Sequence, residues 1–404
     1  MGLFSKLFGS KVTADKSAAK LQDGDFITAL SMQLHDELDP ALDAYLDIAE
    51  EFPNDTLAPF FAAAIKAGKG NTAEAADTLR LLSRNAAVDG ESLSLAITQE
   101  LFAQLNHGPT PVSVPAVAEV LVSFGLLLKK EGFVQESAVC FEIAAGLAPD
   151  NAHVLHKLGD TLHDLRIYDY AESVLLDALK CAPNHWESIY TYAVLLQDLG
   201  RNEEAIFHYE QAVRLNPNHA NCQNNLGAAL LRTNRLEEAL AHCTLAAALD
   251  PASPFVKINL GNIHLLMQEY EAARTCFSEA IALNDRLALA YYGLGSVEQA
   301  LKSDHGRIRE LYLKAIEINP SIPEVQQALG NLLAAEADPD ALSHFSAAAQ
   351  LNPNLKNLHR DLGAACFQMG RREEALKHMR IALEQNPEDV IVQEILVREA
   401  ETPA

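Results

Sequence analysis

The sequence predicts an all-α protein, a right-handed α-solenoid built from stacked helix–turn–helix repeats. Hydrophobic residues fill 49% of the 404 positions while aromatics fill only 6%. That excess of small apolar side chains suits close-packed helices better than a β-sandwich. Prolines mark a fixed interval, with Pro149, Pro183, Pro217 and Pro251 each 34 residues apart and Pro353 and Pro387 repeating it. Small residues keep the same beat: Gly125, Gly159, Ala193 and Gly227 each stand 24 positions before a proline. A chain longer than one ordinary domain and marked by a fixed period is expected to be an array.

Each part of the period has a physical reason. Ala144, Ala178, Ala212 and Ala246 stand five residues before their prolines, and Phe141, Leu175, Tyr209 and Cys243 stand three before those alanines. A Gly or Ala on the first helix, facing Ala171, Ala205, Ala239, Ala273, Ala341 or Ala375 on the second, lets two backbones approach closely. The bulky residue between the alanines is expected to fill the gap to the next helix pair. Gly132, Gly200, Asn234 and Gly370 fall at the turn between helices, where a left-handed residue ends a helix cheaply. The proline then ends the second helix and opens the next repeat. Two copies break the count: Gly295 to Pro320 spans 25 residues and Gly330 to Pro353 spans 23. An extra residue in "LKSDHGR" and a missing one in "AAEADPD" are both expected to fall in turns, where length is tolerated.

The stretches "YAVLLQDLGRNEEAIFHYEQAVRLNPNHA" and "NLGAALLRTNRLEEALAHCTLAAALDPAS" resemble the tetratricopeptide repeat. The array is also similar to those attached to O-linked N-acetylglucosamine transferases, but it leaves no room for a catalytic domain. Eight copies are expected over 118–389. Upstream, 22–106 reads as divergent repeats of the same kind, with Ala41, Tyr45, Ile48 and Pro53 in second-helix register. The segment 107–117, which holds most of "NHGPTPVSVP", is a Pro-rich joint, and 390–404 is a capping helix and tail.

Residues 1–21 stand apart. In "MGLFSKLFGSK" a helical wheel puts Leu3, Phe4, Leu7 and Phe8 on one arc. Residues 1–20 carry a formal +3 on a chain whose net charge is −24. A basic amphipathic start is attracted to an anionic membrane surface. The same residues would also serve as a docking tag for a partner, a cap on the first repeat, or a disordered lead. An N-myristoyl signal is not met, because Lys6 stands where Ser or Thr is needed.

The resemblance implies an inner helix whose second, fifth, ninth, twelfth and thirteenth positions line a concave groove. Those positions carry His153, His156, Asp160 and His163 in one copy, expected to make polar contacts. Further on they carry Asn221, Asn224, Phe255, Ile258, Asn262, Leu266 and Tyr292, expected to bind a partner's peptide segment. Asparagine amides can hold an extended backbone whatever its side chains, and exposed apolar residues offer an anchor pocket. Packing of Phe255 and Leu266 against the neighbouring repeat is the alternative.

The acidity argues against nucleic acid, which requires clustered Lys and Arg. No phosphate loop, nucleophile elbow or zinc-helix motif occurs, so no catalytic residue, metal or cofactor is expected. The six cysteines form no C-x-x-C pair and read as reduced thiols of a cytoplasmic, bacterial-type protein. The expectation is a non-enzymatic scaffold for a protein or peptide partner, with self-association through its end faces. The alternatives are an adaptor peripheral to the inner face of the membrane and an accessory subunit of a glycosyltransferase.

Overall fold

In a computed structural model, the described residues are 114–401 together with 38–51, 57–69 and scattered positions between 29 and 82. The amphipathic start with Leu3, Phe4, Leu7 and Phe8 lies outside the described residues. The chain divides into two compact units, Met1–Pro217 and Asn218–Ala404.

The first unit begins with α1 (Leu38–Glu51) and α2 (Leu57–Gly68). Three helix pairs follow: α3 (Val114–Lys130) with α4 (Val134–Leu147), α5 (Ala152–Asp164) with α6 (Tyr168–Cys181), and α7 (Trp186–Asp198) with α8 (Asn202–Leu215). The second unit holds α9 (Ala220–Arg232) and α10 (Leu236–Leu249), α11 (Pro254–Leu266) and α12 (Tyr270–Leu283), and α13 (Ala288–Ala300) and α14 (His305–Ile318). Then come α15 (Pro323–Ala335) and α16 (Ala341–Leu351), α17 (Leu358–Gln368) and α18 (Arg372–Gln385), and the single helix α19 (Val390–Glu401). Within each unit the helices pack on their pair-mates and successive pairs pack on one another, so each unit is an α-solenoid of stacked pairs.

Ala41, Tyr45 and Ile48 are the buried face of α1, as their register requires. α2 packs directly on α3, with the Phe60 and Phe124 rings 5.7 Å apart. α3 begins at Val114, so the last residues of the segment read as a joint are helical, with Pro115 in the first turn where its missing N–H costs nothing.

Capping fixes where the first helices start. The Asn151 side chain accepts from the His153 and Val154 amides, and the His185 and His219 rings accept from Ser188 and Cys222. Pro254 and Pro323 begin α11 and α15, with φ already set for a helix. The ends are fixed by one recurrent turn. Gly132, Arg166, Gly200, Asn234, Gln268, Lys302, Ala337 and Gly370 all have positive φ. After each, the next amide bonds back across the turn, as in Arg201 N to Leu196 O at 2.9 Å and Arg371 N to Cys366 O at 2.8 Å. This arrangement satisfies carbonyls that the helix end would leave open.

The small residues make room for the bulky ones. A Cβ on Gly125 would lie 2.7 Å from the Phe141 ring, and one on Gly159 would lie 2.6 Å from Leu175. The glycine therefore makes room chiefly for the bulky residue of its own pair. Phe277 presses on glycines of two successive pairs, Gly261 and Gly293, and Tyr312 and Phe345 share one core cluster with residues of the pairs that follow them.

The length changes resolve differently. The extra residue falls in the turn between α13 and α14, as expected, and Ser303 N donates to Glu298 O at 2.9 Å across it. The missing residue does not come from the turn alone. α16 starts at Ala341, the position that is fourth in a regular second helix, so a whole first turn is unwound at Pro339–Asp340. Pro339 has no N–H to give and disfavours helix at the residue before it.

Candidate functional site

Successive first helices pack on one another within a unit: α3, α5 and α7 in the first, and α9, α11 and α13, then α15 and α17, in the second. This close approach makes the first helices the inner face of each stack.

In the second unit that face has a polar frame and apolar projections. Asn221 is exposed. Asn224 is buried, and its Oδ1 accepts from Asn259 Nδ2 at 2.9 Å, tying α9 to α11. Beside it the buried Gln223 accepts from His242 Nδ1 at 2.7 Å. Asn224 therefore works as a strut between repeats, which corrects the expectation that it faces a peptide. Ile258 is corrected too, because it lies in the core with Ala273, Phe277, Ala290 and Leu294. Asn262 is half-buried, as is Tyr292, whose ring lies 6.0 Å from Tyr312 and whose phenol is pushed up by burial and by Glu324.

Phe255 and Leu266 behave otherwise, at 60% and 55% exposed. They do not pack away against a neighbouring repeat. Sequence reasoning missed Leu289, 53% exposed, on α13. The signal was present, since Leu289 occupies the position of Phe255 one period later. Exposed apolar side chains thus stand at the start of two adjacent inner helices and at the end of one.

In the first unit the four predicted polar residues do not act together. His156 is buried with Nε2 3.1 Å from Thr191 Oγ1, while its Nδ1 has no hydrogen-bond partner. Burial and the neighbouring Lys157 push its imidazole down to about 3, so it is neutral. Asp160 and Asp164 share Lys129 at 2.6 and 2.8 Å, and His163 Nε2 meets Asp198 at 2.9 Å. The exposed His153 instead sits against the His156 and His185 rings, with centroids 6.5 and 6.2 Å away. Among the described residues, no three His, Cys, Asp or Glu side chains converge as a metal site requires.

All six cysteines are free thiols, four of them buried. Burial raises Cys222 and Cys243 to about 12, which keeps them protonated and inert as nucleophiles. No described helix is long and apolar enough to cross a membrane.

Family profiles described as tetratricopeptide repeat match residues 190–254, 256–286 and 357–389, each on the helix pairs above. The chain carries tetratricopeptide repeats. Among solved structures, a tetratricopeptide repeat protein from Parabacteroides merdae is similar with a TM-score of 0.51 at 16% identity, over 62% of this chain and 98% of that one. PilF of Pseudomonas aeruginosa is similar at 0.44 and 21% identity, over 50% of this chain and 92% of its own. YrrB, a repeat protein described as having an unusual peptide-binding site, gives 0.36 and 24% over 46% and 96%. No curated protein matches the chain. The repeat assignment explains why Phe255 and Leu289 share a position: each is the second residue of an inner helix in its own copy.

Proposed function

We propose that the protein is a non-enzymatic scaffold that binds a peptide segment of another protein along the inner face of residues 220–300. The exposure of Phe255 and Leu266 carries this reading. Burying such side chains on a partner gains about 2 kcal/mol each, whereas leaving them in water gains nothing. Asn262 lies on α11 with Phe255 and Leu266, and Asn221 lies on the preceding inner helix α9, where their amides can meet a partner's main chain. The Asn224–Asn259 bond and the Ile258 core hold those helices in place before the partner arrives, which lowers the entropy cost of binding.

The test is a displayed peptide library selected on the full chain, with the winning peptides remeasured on Phe255→Ala and Leu266→Ala. Peptides with an apolar anchor that bind at least about ten-fold more weakly to either variant, a loss of 1.4 kcal/mol or more, support the reading. Undiminished binding to both variants overturns it.

A further inference from the structure

His359 on α17 and His378 on α18 stack with ring centroids 5.2 Å apart and planes 10° from parallel. Their Nδ1 atoms are 3.1 Å apart. Two neutral imidazoles can make this contact only if one Nδ1 carries the proton and the other accepts it. His359 is buried and His378 half-buried, so water is a poor substitute for either partner.

The same pairing recurs in this unit with a different acceptor. His242 Nδ1 meets Gln223 Oε1 at 2.7 Å, and His344 Nδ1 meets Gln326 Oε1 at 2.8 Å. Each joins the second helix of a pair to the first. A glutamine oxygen accepts from imidazole and imidazolium alike, so those two clasps survive protonation of the histidine. The last pair has a histidine where the others have glutamine, and that exchange alters the response to acid.

We propose that the His359–His378 contact is a proton-sensitive clasp: one proton shared between the two Nδ1 atoms holds α17 to α18, and charging of both rings releases them. A first added proton can sit on the outer nitrogen of the donor ring and leave the Nδ1–H···Nδ1 bond intact, whereas a second takes the accepting Nδ1 and sets two cations edge to edge. Of the surrounding charges on α18, Lys377 opposes charging of His378 and Glu374 favours it. From the segment before α17, the Pro353 carbonyl favours charging of His359. Burial outweighs these favourable contacts, and both imidazoles are held below their ordinary range. Groups that stay neutral when folded and charge when unfolded give stability that is full above the ordinary histidine range. That stability is lost as the pH falls through it. The end of the second unit, where α19 leans on α18 through Met379 and Val392, is therefore a part that acid loosens.

The experiment is native-state hydrogen exchange on the full chain between pH 7.5 and 5, with protection factors corrected for the pH dependence of intrinsic exchange. Wild-type amides in 358–385 lose protection below the ordinary histidine range with a slope that steepens from about ten-fold toward about a hundred-fold per pH unit, the limit for uptake of two protons. His359→Gln restores the acceptor used at His242 and His344, and its protection there falls less steeply over the same range, because only His378 is left to charge. Equal slopes in wild type and variant overturn the proposal. A second readout needs no substitution: the imidazole NMR shifts of His359 and His378 titrate below the ordinary range, and ordinary, independent titration of both overturns it equally.

Discussion

Gly293 and Phe277 meet across two successive helix pairs, so closely that a Cβ on Gly293 would fall 2.2 Å from the Phe277 ring. The same ring lies 2.8 Å from the Cβ position of Gly261 in its own pair. One phenyl group thus occupies the space that two absent side chains leave.

Gly293→Ala is accordingly expected to destabilise the second unit. In an exposed helix the change gains about 0.5–1 kcal/mol, but overpacking a tight core costs about 1–3 kcal/mol. The net loss should appear as a lower urea midpoint, and Phe277→Leu in the same chain should recover part of it. A midpoint equal to or above wild type would mean that the ring moves aside freely.

The left-handed turn residues give the opposite sign. Arg166, Lys302 and Ala337 hold φ of 58, 56 and 56°. That region costs an L-residue roughly 1–2 kcal/mol, and glycine gives back part of the advantage through the unfolded chain. Each of Arg166→Gly, Lys302→Gly and Ala337→Gly is expected to raise stability by about 0.5–1 kcal/mol in thermal or urea unfolding. Gly200→Ala, at φ 77°, should lower it.

These turns also show what was legible in the sequence. Gly132, Gly200, Asn234 and Gly370 could be named from residue type alone, whereas Arg166, Gln268, Lys302 and Ala337 could be found only by carrying the period across. The spacing of Gly and Pro placed the helix pairs over 118–389 because both residues act locally on the backbone. It could not place Ile258 or Asn224. Whether an inner-helix side chain points into the groove or toward the adjacent pair depends on the rotation of neighbouring repeats. A carried-over list of positions does not contain that rotation. The unwound start of α16 was hidden for a similar reason, because a count gives the number of missing residues but not which element yields them.

Acid should act on Glu298 as well, by a separate route. Its carboxylate is buried, with Ser303 Oγ at 2.5 Å, Arg274 at 3.2 Å and Arg307 at 3.4 Å. Burial alone would push the carboxyl up, but the Ser303 hydroxyl and the two guanidiniums more than offset it, and the net shift is down. A depressed carboxylate contributes stability above its unfolded value, near about 4.3, and loses it as the pH falls through the folded value. Glu298→Gln should therefore cost about 1–2 kcal/mol at neutral pH, since Arg274 keeps Glu271 at 3.0 Å and the Arg307 side chain stays largely in water. It should also flatten the loss seen in wild type below about pH 4. Because the histidine clasp responds nearer pH 6, the two effects separate along one titration.

The division of labour on the inner face of α11 can be checked with two substitutions three residues apart. Ile258 packs into the core with Phe277 and Leu294, whereas Phe255 projects into solvent. Ile258→Ala removes buried methyl groups and leaves a cavity, so it should cost about 2–4 kcal/mol. Phe255→Ala removes a ring that is mostly in solvent and should change stability by less than about 0.5 kcal/mol. Binding reverses the order. A selected peptide should lose affinity for Phe255→Ala in proportion to the aromatic area it no longer covers. Ile258→Ala, measured at a temperature where it is still folded, should bind nearly as wild type. If Phe255→Ala were the destabilising change, the ring would be part of the stack and the inner face would lack its apolar anchor.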